Sequence, residues 1–423
     1  NLSEEQVDIL QNAGDDNTLM NAPSAILDTF SENKILYKKE IVEGVEIFSF
    51  SNNPEDELYN VRFTLVGNGA GNYMISTANA ISRIFEYIAP INGIPQGNYE
   101  PIVRLTPPEK IQIAGITGTY HPSEKTNVSF EFSGSKNDLN LFSSIDDRNN
   151  DGFAGKIKAK QIILKPNDST KLDAFVSLDI INRDFKTIER LYSIEFNRDW
   201  NLENPLGNQR FLIGGLEYSD AKNGAITYEF QNLEFSENFK GTRHVLNSNI
   251  RLSKFKINTT GSFLESKGDL IDSKFIRINN NTSYSFKKNW IGAKINAEDN
   301  QIKTIANDSL TPKSQRFNAY EVYTGIGDST KVFVELGYQY RVNDSVRNTS
   351  LQRVSTSNTF YLKSKLIQTK SSQLSFFANY RTLKDEFLDE NQNELPDEEQ
   401  FLNSRLLYNQ TLFKGAIRLN TVL

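Results

Sequence analysis

The stretch TKVFVELGYQYRV, Thr330 to Val342, places Val332, Val334, Leu336, Tyr338, Tyr340 and Val342 on one face of an extended chain. Lys331, Glu335, Gln339 and Arg341 fall on the other, with Phe333 and Gly337 between them. Successive side chains of a strand point to opposite faces, so this is a two-faced strand. The pattern recurs. TNVSFEFSGS sets Val128, Phe130 and Phe132 against Ser129, Glu131 and Ser133. KLDAFVSLDIINRDF sets Leu172, Ala174, Val176, Leu178 and Ile180 against Asp173, Ser177 and Asp179. LYSIEFNRDW reads the same way, with Tyr192, Ile194, Phe196 and Trp200 on one side. AITYEFQN and SSQLSFFANYRT repeat it. Short turn clusters such as HPSEK, KPNDST and DAKNG separate the runs. Roughly sixteen strands are expected from Glu109 onward, many about 10–15 residues long, against the 5–6 typical of soluble sheets.

So many long strands in an open sheet would leave two free edges and a wide apolar face. Closing the sheet removes the edges. In a membrane barrel the outward residues meet lipid and the inward residues meet water, which yields alternation in segments of about ten residues. The expected fold is therefore all-β: a transmembrane antiparallel β-barrel of about 14–18 strands with a small mixed N-terminal region. Only 38% of the 423 residues are hydrophobic, yet 28 are Phe and 17 Tyr. A barrel needs only every second residue to be apolar, and aromatic rings suit the headgroup layer at strand ends. Tyr120, Trp200, Tyr218, Tyr284, Phe286, Tyr338, Tyr340 and Tyr380 are the expected girdle. The rival is a secreted soluble β-sandwich or solenoid serving as an adhesin, since alternation also arises when one face is packed and the other wet. A solenoid needs a fixed short repeat, and none is visible.

Three regions are expected. Residues 1–33 form a short helix and loop, 34–107 an irregular β region serving as plug or linker, and 108–423 the barrel. In SEEQVDILQNAGDD, Ser3 reads as an N-cap, Gln6 as its capping-box partner and Gly14 as the stop. No run of about 18 apolar residues exists, so no transmembrane helix is expected. The chain has no cysteine, which excludes disulfides, thiolate metal sites and a cysteine nucleophile. A net charge of −6 with interspersed signs gives no basic face for nucleic acid.

FEYIAPINGIPQGNYEPIVRL, followed by FSGSKNDLNLFSSIDDRNNDG, resembles a segment of large, mostly uncharacterised outer-membrane or surface proteins of Bacteroidota. The helix end LQNAGDD resembles the region ahead of their barrel. The likeness is most specific over Phe85–Gly152. It implies a bacterial outer-membrane location, with membrane lipid and other outer-membrane or surface proteins as partners. It carries no residue-level function. Many such barrels end on an aromatic residue, whereas this chain ends RLNTVL. The expectation is either a missing final strand or a piece of a larger protein.

The chemistry expected is binding or transport, as a channel, a transporter or the membrane anchor of a surface complex, and not catalysis. His121 and His244 lie far apart, each read as a lumen-facing or turn residue, and no GxSxG or HExxH occurs. VGNGAGNY reads as a glycine-rich turn: Asn72 stands where a dinucleotide loop needs its third glycine. Two loops suggest calcium. In DDRNNDG, Asp147, Asn149 and Asp151 alternate as oxygen donors, with Gly152 at the sixth position. Lys158 occupies the twelfth, so this is not a full EF-hand loop. In LDENQNELPDEEQ, Asp389, Asn391, Asn393 and Asp397 repeat the idea, with Glu399 beyond. The plainer reading of both is a solvated polar loop.

Overall fold

The computed structural model describes residues 2–77, 83–328, 330–386, 398–412 and 417–422. It divides into two compact units, Asn1–Ile113 with Ser135–Gly152, and Ala114–Gly134 with Phe153–Leu423.

The first unit opens with α1 (Glu4–Ala13). Ser3 Oγ accepts from the Gln6 N–H at 3.2 Å and Gln6 Oε1 accepts from the Ser3 N–H at 3.0 Å, a complete capping box. The C-terminal carbonyls need donors too. Asn140, 130 residues away, supplies them: its side-chain amide donates to the carbonyls of Leu10 at 2.7 Å and Gly14 at 2.6 Å. Ten short strands follow among the described residues. β1 (Asn21–Pro23) pairs β10 (Ile102–Arg104). β2 (Ile26–Leu27), β5 (Leu58–Asn60), β3 (Tyr37–Val42) and β4 (Val45–Phe50) form one four-stranded sheet in that order. β6 (Thr64–Leu65), β9 (Tyr99–Glu100), β7 (Tyr73–Ile75) and β8 (Phe85–Tyr87) form another.

Two tyrosines clasp these sheets together. Tyr73 Oη on β7 accepts from the Phe48 N–H on β4 at 2.8 Å. Reciprocally, Tyr37 Oη on β3 accepts from the Phe85 N–H on β8 at 3.0 Å. Phe63 stacks on Phe85 and tilts against both tyrosines, so the clasp sits in an apolar core.

The second unit is a meander of long strands. Their ranges are β11 (Lys110–Ser123), β12 (Thr126–Asp138), β13 (Asp151–Leu164), β14 (Thr170–Ile181), β15 (Gln209–Asp220), β16 (Gly224–Phe235), β17 (Phe239–Leu252) and β18 (Phe255–Gly268). They continue as β19 (Ile271–Phe286), β20 (Asn289–Thr304), β21 (Gln315–Gly327), β22 (Phe333–Arg347), β23 (Ser350–Gln368), β24 (Ser372–Asp385), β25 (Glu399–Leu412) and β26 (Ile417–Val422). All sixteen lie in one sheet in chain order. The pairings from β13 onward are antiparallel, and register keeps one set of faces together. Gln231 stands opposite Arg243, Arg243 opposite Leu264, Leu264 opposite Phe275, and Phe275 opposite Asn300.

The two faces have the reverse of a soluble protein's polarity. Leu336 is 54% exposed, Val322 56% and Val176 44%, and the same face carries exposed Leu216, Leu246, Ile278 and Phe360. On the opposite face Asp173, Glu298, Asn300 and Ser266 are buried. Leaving a large apolar side chain in water forfeits about 1.5–3 kcal/mol of burial. An apolar skin over a polar interior is stable when the skin meets hydrocarbon. The chain is thus an antiparallel membrane-type β-barrel sheet, and among the described residues no helix is long and apolar enough to cross a membrane.

Leu336→Arg is expected to lower stability in lipid by up to about 4 kcal/mol, the depth-dependent cost of a cation on the lipid face; reversible unfolding from vesicles measures it, and an unchanged midpoint contradicts the assignment of faces. Burial pushes the Tyr73 hydroxyl up to about 12, above the ordinary value near 10. A raised folded value means that the clasp is whole below pH 10 and is lost as pH rises from roughly 10 to 12. Near-UV dichroism of the first unit is expected to collapse in that window, with a smaller change in Tyr73→Phe, which itself costs about 1 kcal/mol at neutral pH.

Candidate functional site

The stretch LYSIEFNRDW is not a strand. It lies in the connection 182–208 between β14 and β15 and contains a short helix, α2 (Phe196–Trp200). Asn201 ends the helix in the left-handed conformation, at φ 50°. Tyr192, Phe196 and Trp200 recur every fourth residue, a spacing that helix and strand share. Ile194 separates the two: a strand would bury it beside them, and it is 80% exposed.

The segment folds onto the polar face of the sheet. Trp200, 1% exposed, is buried among Phe211 of β15, Leu233 of β16, Phe239 of β17, Leu264 of β18 and Phe275 of β19. It is therefore a core residue, not the girdle residue its alternation suggested. Gly241 lies directly beneath the indole, where a Cβ would press on the ring at 3.0 Å. Tyr192 stacks on Phe196 with centroids 4.1 Å apart, and its hydroxyl reaches Asp179 of β14 at 3.3 Å and accepts from Gln209 at 2.7 Å.

Around this apolar plug runs an alternating chain of charges. Asp199 bridges Arg243 of β17 at 3.3 Å and Arg277 of β19 at 2.7 Å. Arg277 Nε lies 3.0 Å from Glu298 of β20, an ion-pair contact not aligned as a hydrogen bond. Glu298 also takes Arg198 at 2.6 Å, and Arg198 lies 3.5 Å from Glu195. Asn201 and Asn300 exchange two amide hydrogen bonds, at 2.8 and 3.0 Å. With three arginines and three acids, the network is neutral as a whole.

These contacts require the sheet to curve. Strands stand about 4.8 Å apart, so β15 and β20, five steps away, are about 24 Å apart along the sheet. Yet Trp200 lies 5.6 Å from Phe211 on β15, while the adjacent Asn201 bonds Asn300 on β20. A helix of five residues is only about 7.5 Å long. The wall must wrap concavely around the segment, which makes the polar face the inner face of the barrel.

Of the expected calcium ligands, Asp147 and Asn149 lie in a 3-10 turn, and Asp151 opens β13. Asp147 Oδ1 accepts from the Asn150 side chain at 2.9 Å. It is Asp146 that reaches the residue beyond the C-cap of α1, accepting the Asp15 N–H at 3.1 Å. Burial, then the charges of Asp146, Asp138 and Asp147, push the Asp15 carboxyl above the usual carboxylate range. Among the described residues no group of three or more His, Cys, Asp or Glu side chains is gathered to hold a metal. Asp389, Asn391, Asn393 and Asp397 lie outside the described residues. His121 bonds Asn127 at 3.2 Å. His244 faces outward, not into the lumen: it sits 2.8 Å from the Tyr228 hydroxyl among Phe230 and Phe263. Within VGNGAGNY, Gly67 and Gly69 adopt positive φ, as a turn requires.

No protein-family model matches the chain, and no curated protein matches it. Among solved structures it is similar to outer-membrane expressed OmpT of Vibrio cholerae, at 10% identity over 67% of this chain and 97% of that one, with a TM-score of 0.29. In-vitro folded OmpT, an outer membrane protein of the same organism, gives 8% identity, 70% and 93% coverage and a TM-score of 0.29. Its loop L8 deletion mutant gives 10%, 71%, 99% and 0.29. The fold rests on the chain's own strand faces.

Asp199→Asn is expected to weaken the anchoring of α2 by about 1–3 kcal/mol, because two arginines lose their shared anion. In a Trp290→Phe background, acrylamide quenching of Trp200 then rises while the β-sheet signal stays unchanged; unaltered quenching contradicts the role given to Asp199.

Proposed function

We propose that the chain is an integral barrel of the bacterial outer membrane, without catalytic activity, whose lumen is a water-filled path for polar solutes narrowed by segment 182–208. One observation carries the reading: α2 is pinned to the inner wall by Asp199, Arg198 and Asn201, reaching β17, β19 and β20 at once. A segment held only to close a gap in packing needs apolar contacts alone. This one also presents a band of fixed charges, as a constriction that filters ions and solutes does.

A second reading, the membrane anchor of a surface complex, is favoured by the first unit. Its hairpin and turn tips expose Ile41 at 78% and Ile91 and Ile94 at 62% each, apolar residues that suit a protein partner. Planar-bilayer recordings of the full chain separate the two. A channel gives small single-channel steps, and removal of residues 190–203 enlarges them. Silence from both forms, with the barrel folded, leaves the anchor.

Calcium at the Asp147, Asn149 and Asp151 loop is a separate proposal, supported by the crowding of Asp15 with Asp138, Asp146 and Asp147. Calorimetric titration is expected to give binding heat that Asp147→Ala with Asp151→Ala removes; no heat from the parent protein rules calcium out.

A further inference from the structure

Beyond the charged network around α2, the inner wall changes character. Two adjacent rows run across the strands there. In one, Asn247 stands opposite Thr260, Thr260 opposite Asn279, and Asn279 opposite Asn296. In the next, Asn249 stands opposite Asn258, Asn258 opposite Asn281, and Asn281 opposite Lys294. Asn258, Asn279 and Asn296 are exposed on the inner face. Together with Thr260, Asn281 and Gln339 they line a groove of about 290 Å³. Two charged residues line the groove, Lys294 and Glu321, and they pair at 2.7 Å.

Below this groove the wall turns aromatic, with the rings laid over glycines of the neighbouring strand. A Cβ added at Gly325 would strike the Trp290 ring; at Gly292 it would strike Tyr323, and at Gly337 Tyr361. The three pairs stand directly opposite in the ladder. Each ring is also tied at its polar atom: Trp290 Nε1 donates to Glu335 at 3.0 Å, Tyr361 Oη to Glu321 at 2.7 Å, and Tyr323 Oη to Asn281 at 2.7 Å. Tyr323 is buried, while Trp290 and Tyr361 stay partly exposed, each lying over its glycine on the inner wall.

From this juxtaposition we infer that the wall of β18–β23 binds a neutral carbohydrate chain. A side-chain amide both donates and accepts, as a sugar hydroxyl does, so a row of amides about 4.8 Å apart matches a row of hydroxyls. The negative face of an aromatic ring takes the C–H face of a pyranose. The neutralised Lys294–Glu321 pair gives no net attraction for an anion or a cation. A peptide would find few apolar pockets among the amides, and a nucleic acid would find no basic stripe.

The inference deepens the channel reading and rests on its water-filled lumen, so the test keeps the two apart. The full chain in detergent is titrated with a linear neutral glucan of six sugars, with a polyuronate of equal length, and with a hexapeptide, by calorimetry and by tryptophan emission. The neutral glucan is expected to bind saturably and shift the emission. Asn279→Ala with Asn296→Ala is expected to weaken binding roughly tenfold or more, as the loss of two hydrogen bonds implies. Trp290→Phe should abolish the emission shift. Heat-modifiable gel mobility shows that each variant is folded. Saturable binding of the polyuronate or peptide alone, or no binding by a folded parent, overturns the inference. Bilayer conductance is recorded separately: silence with glucan binding intact overturns the channel and not the site.

Discussion

Hydrocarbon offers no hydrogen-bond partner, and that constraint organises the whole second unit. Each backbone N–H and C=O left unpaired at membrane depth costs several kcal/mol, so strands can cross only as members of a continuous ladder. The register from β13 to β26 supplies that ladder with few irregularities, at Ile162/Leu164, Asn343/Asp344 and Lys365/Ile367. Once the ladder runs without a break, side chains have only two directions left. Those facing lipid include Leu216, Val322 and Leu336, while charged and amide groups such as Asp173, Glu298 and Asn300 go inward.

Inward placement creates its own difficulty. Charges on a concave wall lose part of their hydration, and the most buried of them are compensated locally. Asp173, fully buried, lies within 3.1 Å of both Lys160 and Lys171, and Lys160 also meets Glu217 at 2.9 Å. The chain from Arg243 to Arg198 solves the same problem around α2 by alternating sign. A concave wall also crowds its bulkiest side chains, and the glycines opposite Trp290, Tyr323 and Tyr361 make room for them. Glycine weakens a strand by roughly 0.5–1 kcal/mol relative to alanine, so its presence there reflects ring placement and not strand propensity.

The strands were legible in the sequence because lipid on one side and water on the other write a period of two. The helix cap at Ser3 and Gln6 was legible for a similar reason: all its partners lie within one turn. Asn140 was not, since the carbonyls it caps are 130 residues away and no local pattern links them. LYSIEFNRDW reads as a strand because a spacing of four satisfies both periodicities at Tyr192, Phe196 and Trp200. Signals that could have corrected the reading were present. Pro205 and Gly207 follow within seven residues, and Arg198 and Asp199 sit where a lipid-crossing strand would be ending. His244 was misplaced because a lone imidazole was expected to seek water. Tyr228, one strand away, gives it a partner on the lipid side instead.

What separates α2 from the wall that holds it is the kind of contact each makes. The strands are bound by many backbone bonds whose loss in lipid is prohibitive. The segment is bound by one buried indole, a pair of amides and a handful of ion pairs, with Arg243, Arg277 and Asp199 only partly desolvated. Ion pairs of that kind weaken with salt, and the side chains that make them gain freedom when released. The barrel therefore holds, on its inner face, an element bound by side chains alone. Releasing α2 at Asp199 and Trp200 would leave the backbone ladder whole.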